Sequence, residues 1–146
     1  MSESTGLILF HLAFPVTDIG QTKAYYGEGL GCTIGRESEQ AVILNLYGHQ
    51  LVAHVIPEPL QPQKGIYPRH FGLVFTAEAD WEALLSRVEQ QQLDLYLPPK
   101  IRFPDQPLEH RTFFLADPFH NLMEFKVYRH QSAIFGDREF AQIGDL

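Results

Sequence analysis

The feature that most limits how this chain can fold is that it repeats itself. Phe10-His11-Leu12-Ala13-Phe14-Pro15-Val16 and Arg69-His70-Phe71-Gly72-Leu73-Val74-Phe75 follow one pattern: a histidine, a small residue two places on, then apolar residues. Both read as strands, and each leads into a polar stretch and a helix. The first helix is expected over Ile19 to Gly27, with Asp18 as N-cap and Gly29 and Gly31 closing it. The second is expected over Ala79 to Gln91, where Trp81, Leu84, Leu85 and Val88 recur at helical spacing as one core-facing stripe.

Three strand-like stretches follow each helix. They are Cys32–Arg36, Ala41–Tyr47 and His49–Ile56 in the first half, and Asp94–Phe103, Arg111–Leu115 and Asn121–Tyr128 in the second. The closing strands match again: Gly48-His49-Gln50-Leu51-Val52-Ala53-His54-Val55 against Phe119-His120-Asn121-Leu122-Met123-Glu124-Phe125-Lys126. The order is βαβββ twice, an α+β chain. The expected layout is one domain over residues 1–146, with modules over 7–57 and 69–128. A Pro- and Gln-bearing linker covers 58–68. A tail over 129–146 carries an apolar Ala133-Ile134-Phe135 that suits docking on the body or on a partner subunit.

Charge narrows the partners. The net charge is −7 and no block of Lys or Arg stands out, so neither nucleic acid nor an anionic membrane is an expected partner. The single cysteine, Cys32, has no second thiol to pair with, which suits a reducing compartment. The apolar run Leu7–Phe14 is interrupted by His11 and is too short to span a bilayer. A cytoplasmic protein is expected.

The stretch Ala116-Asp117-Pro118-Phe119-His120-Asn121-Leu122-Met123-Glu124-Phe125 is similar to the Asp-Pro-x-Gly-Asn-x-x-Glu pattern at the last strand of the vicinal oxygen chelate superfamily, with His120 where Gly is usual. With Phe10–Val16 and Arg69–Phe75, this makes the chain resemble that superfamily from about Leu7 to Tyr128. The group includes glyoxalase I, extradiol ring-cleavage dioxygenases, fosfomycin-resistance enzymes and bleomycin-binding proteins. The resemblance implies that each module curls into a half-open sheet and that the two form a cup with helices outside. It also implies metal ligands at His11, His70 and Glu124.

Strand geometry supports the same three positions. Side chains alternate between faces. His11 shares a face with Ala13 and Pro15, and His70 with Gly72 and Val74. Leu12, Phe14 and Val16, Phe71, Leu73 and Phe75, and Met123, Phe125 and Val127 fall on the opposite faces. That is the pattern of a sheet with a helix on one side and a polar cavity on the other. Two imidazoles and a carboxylate leave coordination positions open, which suits Fe(II) or Mn(II) first and Zn(II) or Ni(II) as alternatives.

Aligning the two closing strands sets Ala53 against Glu124, where glyoxalase I has a fourth ligand. His54 then points to the helix side, and His49 shares the inward face near the cavity mouth. Three further residues are candidates for catalysis. His110 precedes Arg111–Leu115, a strand with no Tyr in the place where extradiol enzymes carry an assisting one. Lys126 and Tyr128 share the face of Glu124, and Arg102, late in the sixth strand, is a further residue weighed.

The leading expectation is a metal-dependent enzyme acting on a small oxygenated substrate, most like a ring-cleavage dioxygenase. The alternatives are a non-redox lyase or isomerase of glyoxalase type, and a metal-free small-molecule binder of bleomycin type. Superfamily habit and the apolar tail point to a homodimer.

Overall fold

A computed structural model describes residues 6–144. Each half folds as β1(His11–Val16), α1(Ile19–Thr22), β2(Thr33–Glu37), β3(Ala41–Leu46), β4(His49–Val55) and then β5(Phe71–Phe75), α2(Glu78–Gln90), β6(Leu95–Arg102), β7(His110–Ala116), β8(Leu122–Tyr128). The βαβββ order therefore occurs twice. The strands form two four-stranded mixed sheets, ordered β1-β4-β3-β2 and β5-β8-β7-β6. In each the first strand pairs parallel with the last, and the other pairs are antiparallel.

The chain divides into two compact units. The first runs to Pro62 and takes in Pro118–Asn121; the second is Gln63–Asp117 with Leu122 onward. In the first unit the Asp18 carboxylate accepts from the Gln21 N–H at 2.7 Å, the N-cap expected of it. The helix then departs from the expected form. After Thr22 it widens into a π-helical turn, Lys23–Gly29, and the Leu30 N–H donates to the Tyr25 carbonyl. Tyr26 lies fully buried within this turn, its ring centroid 5.3 Å from that of Phe14. Tyr47 and Gly48 both take positive φ between β3 and β4, as a two-residue hairpin requires.

In the second unit α2 starts one residue earlier than expected. Ala77 occupies the N-cap without a side-chain bond, while Glu78 and Asp80 lie in the first turn, where acidic groups suit the helix dipole. Trp81, Leu84 and Val88 are buried, as the stripe predicts, and Leu85 is half-buried. The Trp81 indole N–H donates to the Phe125 carbonyl at 2.8 Å, tying the helix to β8. Its ring lies 5.4 Å from Phe113. Phe113, Phe125 and Val127 make the helix-side core of this sheet. Among the described residues, no helix is long and apolar enough to cross a membrane.

Candidate metal centre

Glu124 lies mid-way along β8 on the sheet face away from α2, and only 7 % of it is exposed. A buried carboxylate is costly unless it is paired. Here the Thr112 hydroxyl on β7 donates to Oε2 at 2.6 Å, and His70 Nε2 lies 3.2 Å from Oε1. Lys126 Nζ is 4.0 Å from Oε1 and Arg102 Nη1 is 3.8 Å from Oε2. Burial pushes the Glu124 carboxyl up, but the bonds from His70 and Thr112 and the charge of Lys126 outweigh it and hold the pKa at about 2. Glu124 is thus an ionised acceptor inside the fold.

His70 stands one residue before β5 instead of within it. Its Nδ1 lies 2.6 Å from the Ile66 carbonyl, which can only accept, so Nδ1 donates there, and in the protonated ring Nε2 donates to the ionised Glu124. The bond with Glu124 raises the His70 pKa, against the opposing effect of burial. Phe114 packs edge-on against the ring at 5.1 Å. Gly72, the small residue two places on, pairs with Glu124 across β5 and β8.

His11 opens β1 in the first unit and is exposed. Its Nδ1 lies 2.8 Å from Gln50 Oε1, so this ring too gives its Nδ1 proton to an oxygen and leaves Nε2 for another partner. The two repeat-related histidines are therefore held alike. An imidazole tied through Nδ1–H and a carboxylate stripped of its proton are the donor states a divalent cation needs. Among the described residues, no group of three or more His, Cys, Asp or Glu gathers around one point; the second unit contributes the pair His70 and Glu124.

The register corrects the reading of β4. His11 pairs with Gln50, Ala13 with Val52 and Phe14 with Ala53. In the second sheet Gly72 pairs with Glu124, so the residue equivalent to Glu124 is Val52. Ala53 is fully buried on the face of Phe14. His54 pairs with Pro15, is exposed and shares the face of His11, so it does not point to the helix side. His49 has the opposite parity to His11, and its Nδ1 accepts from the Phe10 N–H at 3.1 Å. Neither Val52 nor Ala53 has a ligating atom.

The remaining candidates lie in the second unit. His110 is the first residue of β7 and pairs with Tyr128, and their rings approach to 4.7 Å. It is 3 % exposed, and burial lowers its pKa. Lys126 and Tyr128 are half-buried on β8, with Lys126 Nζ 5.4 Å from the Tyr128 ring centroid. Thr112 was not among the residues singled out in the sequence. Only the antiparallel register that sets Thr112 against Lys126 brings its hydroxyl to Glu124.

The family model for the glyoxalase/bleomycin resistance protein/dioxygenase superfamily matches residues 8–125. The chain belongs to this superfamily. A glyoxalase/bleomycin resistance protein/dioxygenase from Alicyclobacillus acidocaldarius is 34% identical, with a TM-score of 0.83 over 88% of this chain and 96% of that one. Two more distant superfamily structures share the fold. One is a variant of the fosfomycin resistance protein FosX from Listeria monocytogenes, complexed with Mn(II) and 1S,2S-dihydroxypropylphosphonic acid. It is 16% identical, with a TM-score of 0.67 over 94% of this chain and 100% of that one. The other is lactoylglutathione lyase from Agrobacterium tumefaciens, 16% identical, with a TM-score of 0.61 over 85% and 96%. No curated protein matches the chain.

Proposed function

We propose that this superfamily member is a metal-dependent enzyme acting on a small oxygenated substrate, with His70, Glu124 and His11 as the ligands of one divalent cation. The observation that carries the reading is the His70–Glu124 pair, an ionised buried carboxylate 3.2 Å from an imidazole whose Nδ1–H is tied to a backbone carbonyl. Such a cation, Fe(II) or Mn(II) ahead of Zn(II) or Ni(II), supplies Lewis-acid polarisation of adjacent substrate oxygens and, for the first two, one-electron chemistry. The Mn(II) complex of the FosX variant supports a cation in this fold.

The protein's own groups have separate roles. Thr112 orients the Glu124 carboxylate by donating to Oε2. Lys126, beside Oε1, attracts an anionic substrate to that edge. His110 takes a substrate proton, and Tyr128 holds the His110 ring by packing against it.

Ring-cleavage-type oxygenation is the first reading of the reaction. Non-redox isomerisation, lysis or addition is the second, because β7 presents Thr112 and Phe114 beside Glu124 and no tyrosine. Protein loaded anaerobically with Fe(II) and screened against catechols for oxygen uptake separates them. No uptake across the panel removes the first, and strict dependence on O₂ removes the second. A metal-free binder is the remaining rival, favoured by a protein that no cation stabilises. The same reading takes the protein as a cytoplasmic homodimer, with His11 supplied by the same chain or by the second copy. Light scattering in solution tests the dimer.

A further inference from the structure

Residues 129–144 lie beyond the family match, which ends at residue 125. They fold back over the Glu124-bearing face of the second sheet. The segment begins with a 3₁₀ turn, Gln131–Ala133, where the Gln131 amide donates to the Thr76 carbonyl at 3.3 Å and Ala133 is buried. Near its far end, Gly144 sits so close to Tyr67 that a Cβ there would meet the Tyr67 hydroxyl, with Arg102 Nη1 3.5 Å away. Between segment and sheet lies a cavity of about 550 Å³, within the size range of small-molecule sites. His110, Lys126 and Tyr128 line it from the sheet, and Phe103, Leu108 and Phe140 add apolar and aromatic wall.

One lining group lacks a partner. His110 Nδ1 lies 3.0 Å from the Leu108 carbonyl and so carries the proton, which leaves a lone pair on Nε2. That nitrogen is buried without a hydrogen-bond partner. A buried acceptor left without a donor is costly and uncommon. Lys126 stands diagonally across the β7–β8 pair, since His110 pairs with Tyr128 and Thr112 with Lys126. Such diagonal neighbours lie about 7–8 Å apart. The chamber thus offers one acceptor, one cation on the neighbouring strand, and aromatic wall.

We propose that this chamber is the substrate pocket and that it takes a small aromatic hydroxy acid, its hydroxyl donating to His110 Nε2 and its acid group pairing with Lys126. The ring lies against Phe103, Tyr128 and Phe140, and the acid end abuts Glu124 through Lys126. The functional meaning rests on the metal-enzyme reading, but the binding itself does not, so it is measured on chelator-treated full-length protein.

Calorimetric titration with 4-hydroxybenzoate, benzoate and phenol decides the matter. The pocket predicts that 4-hydroxybenzoate binds about tenfold more tightly than either of the others. His110→Phe keeps a stacked ring and removes the acceptor, so it brings 4-hydroxybenzoate down to the level of benzoate and leaves benzoate unchanged. Lys126→Met brings it down to the level of phenol. Equal affinities for 4-hydroxybenzoate and benzoate in the unaltered protein, or no binding of any of the three at millimolar concentration, overturn the proposal. This comparison stands even if His110→Phe fails to fold. Cation binding without this ligand preference defeats the pocket and leaves the metal reading intact.

Discussion

Gly72 lies opposite Glu124 across the parallel β5–β8 pair, so close that a Cβ built on it would run into the Glu124 backbone carbonyl. The small residue two places after His70 is thus what lets the His70 strand lie against the carboxylate strand. Gly72→Ala must push the strands apart, and a cost of about 3 kcal/mol is expected, as for overpacking in a core. Urea denaturation measures it, and cation affinity should fall with it. An alanine variant as stable as the parent would show that β5 and β8 do not approach this closely.

Acid should destabilise the metal-free protein through Glu124. Its carboxyl is held at about 2, below its ordinary 4.5, so its contribution is present above 4.5 and is lost as pH falls toward 2. The loss is on the order of 3 kcal/mol. His70 has the opposite sign. Its pKa is raised above 6.5, so its contribution is full below 6.5 and fades as pH rises through the raised value. Thermal melts of chelated protein across pH should show a plateau between these limits, and Glu124→Gln should flatten the acid limb.

Thr112→Val removes the hydroxyl that donates to Glu124 Oε2 while keeping the side-chain shape. A carboxylate freed from its orienting partner typically loses tenfold to a hundredfold in cation affinity, and about tenfold is expected here. Titration with Mn(II) reads this directly. An unchanged affinity would mean that Thr112 supports the fold and not the ligand.

His120 takes φ 69, in the left-handed region that glycine occupies freely. This accounts for the glycine usual at that place in the superfamily pattern. His120 is exposed, so His120→Gly removes strain without losing packing and should stabilise the protein by about 1 kcal/mol. A shift in the urea midpoint checks it.

The repeat of His11 and His70, the Asp-Pro motif and the Trp81 stripe made the two modules, the element order and the α+β class readable from the residues alone. Three things were not. The parallel pairing of each first strand with its last is a long-range choice that no local pattern encodes, so aligning the sequences points to Ala53 as the counterpart of Glu124 in the first module, whereas the register makes it Val52. The π-helical turn at Lys23–Gly29 satisfies its backbone five residues apart, which apolar spacing at helical period does not anticipate. Thr112 is one threonine in an apolar strand, and its role exists only through cross-strand register.

The most direct test of the central claim is cation stoichiometry by Mn(II) titration of the purified chain, followed by electron paramagnetic resonance at two pH values. One cation per chain is expected, with affinity rising from pH 6 to pH 8 as the His70 proton is displaced, since metal and proton compete for the same nitrogen. His11→Ala, His70→Ala and Glu124→Gln should each weaken binding about a hundredfold or more while the circular dichroism stays that of the parent. A chain that binds no cation, or one whose binding is indifferent to Glu124 and His70, would contradict the account.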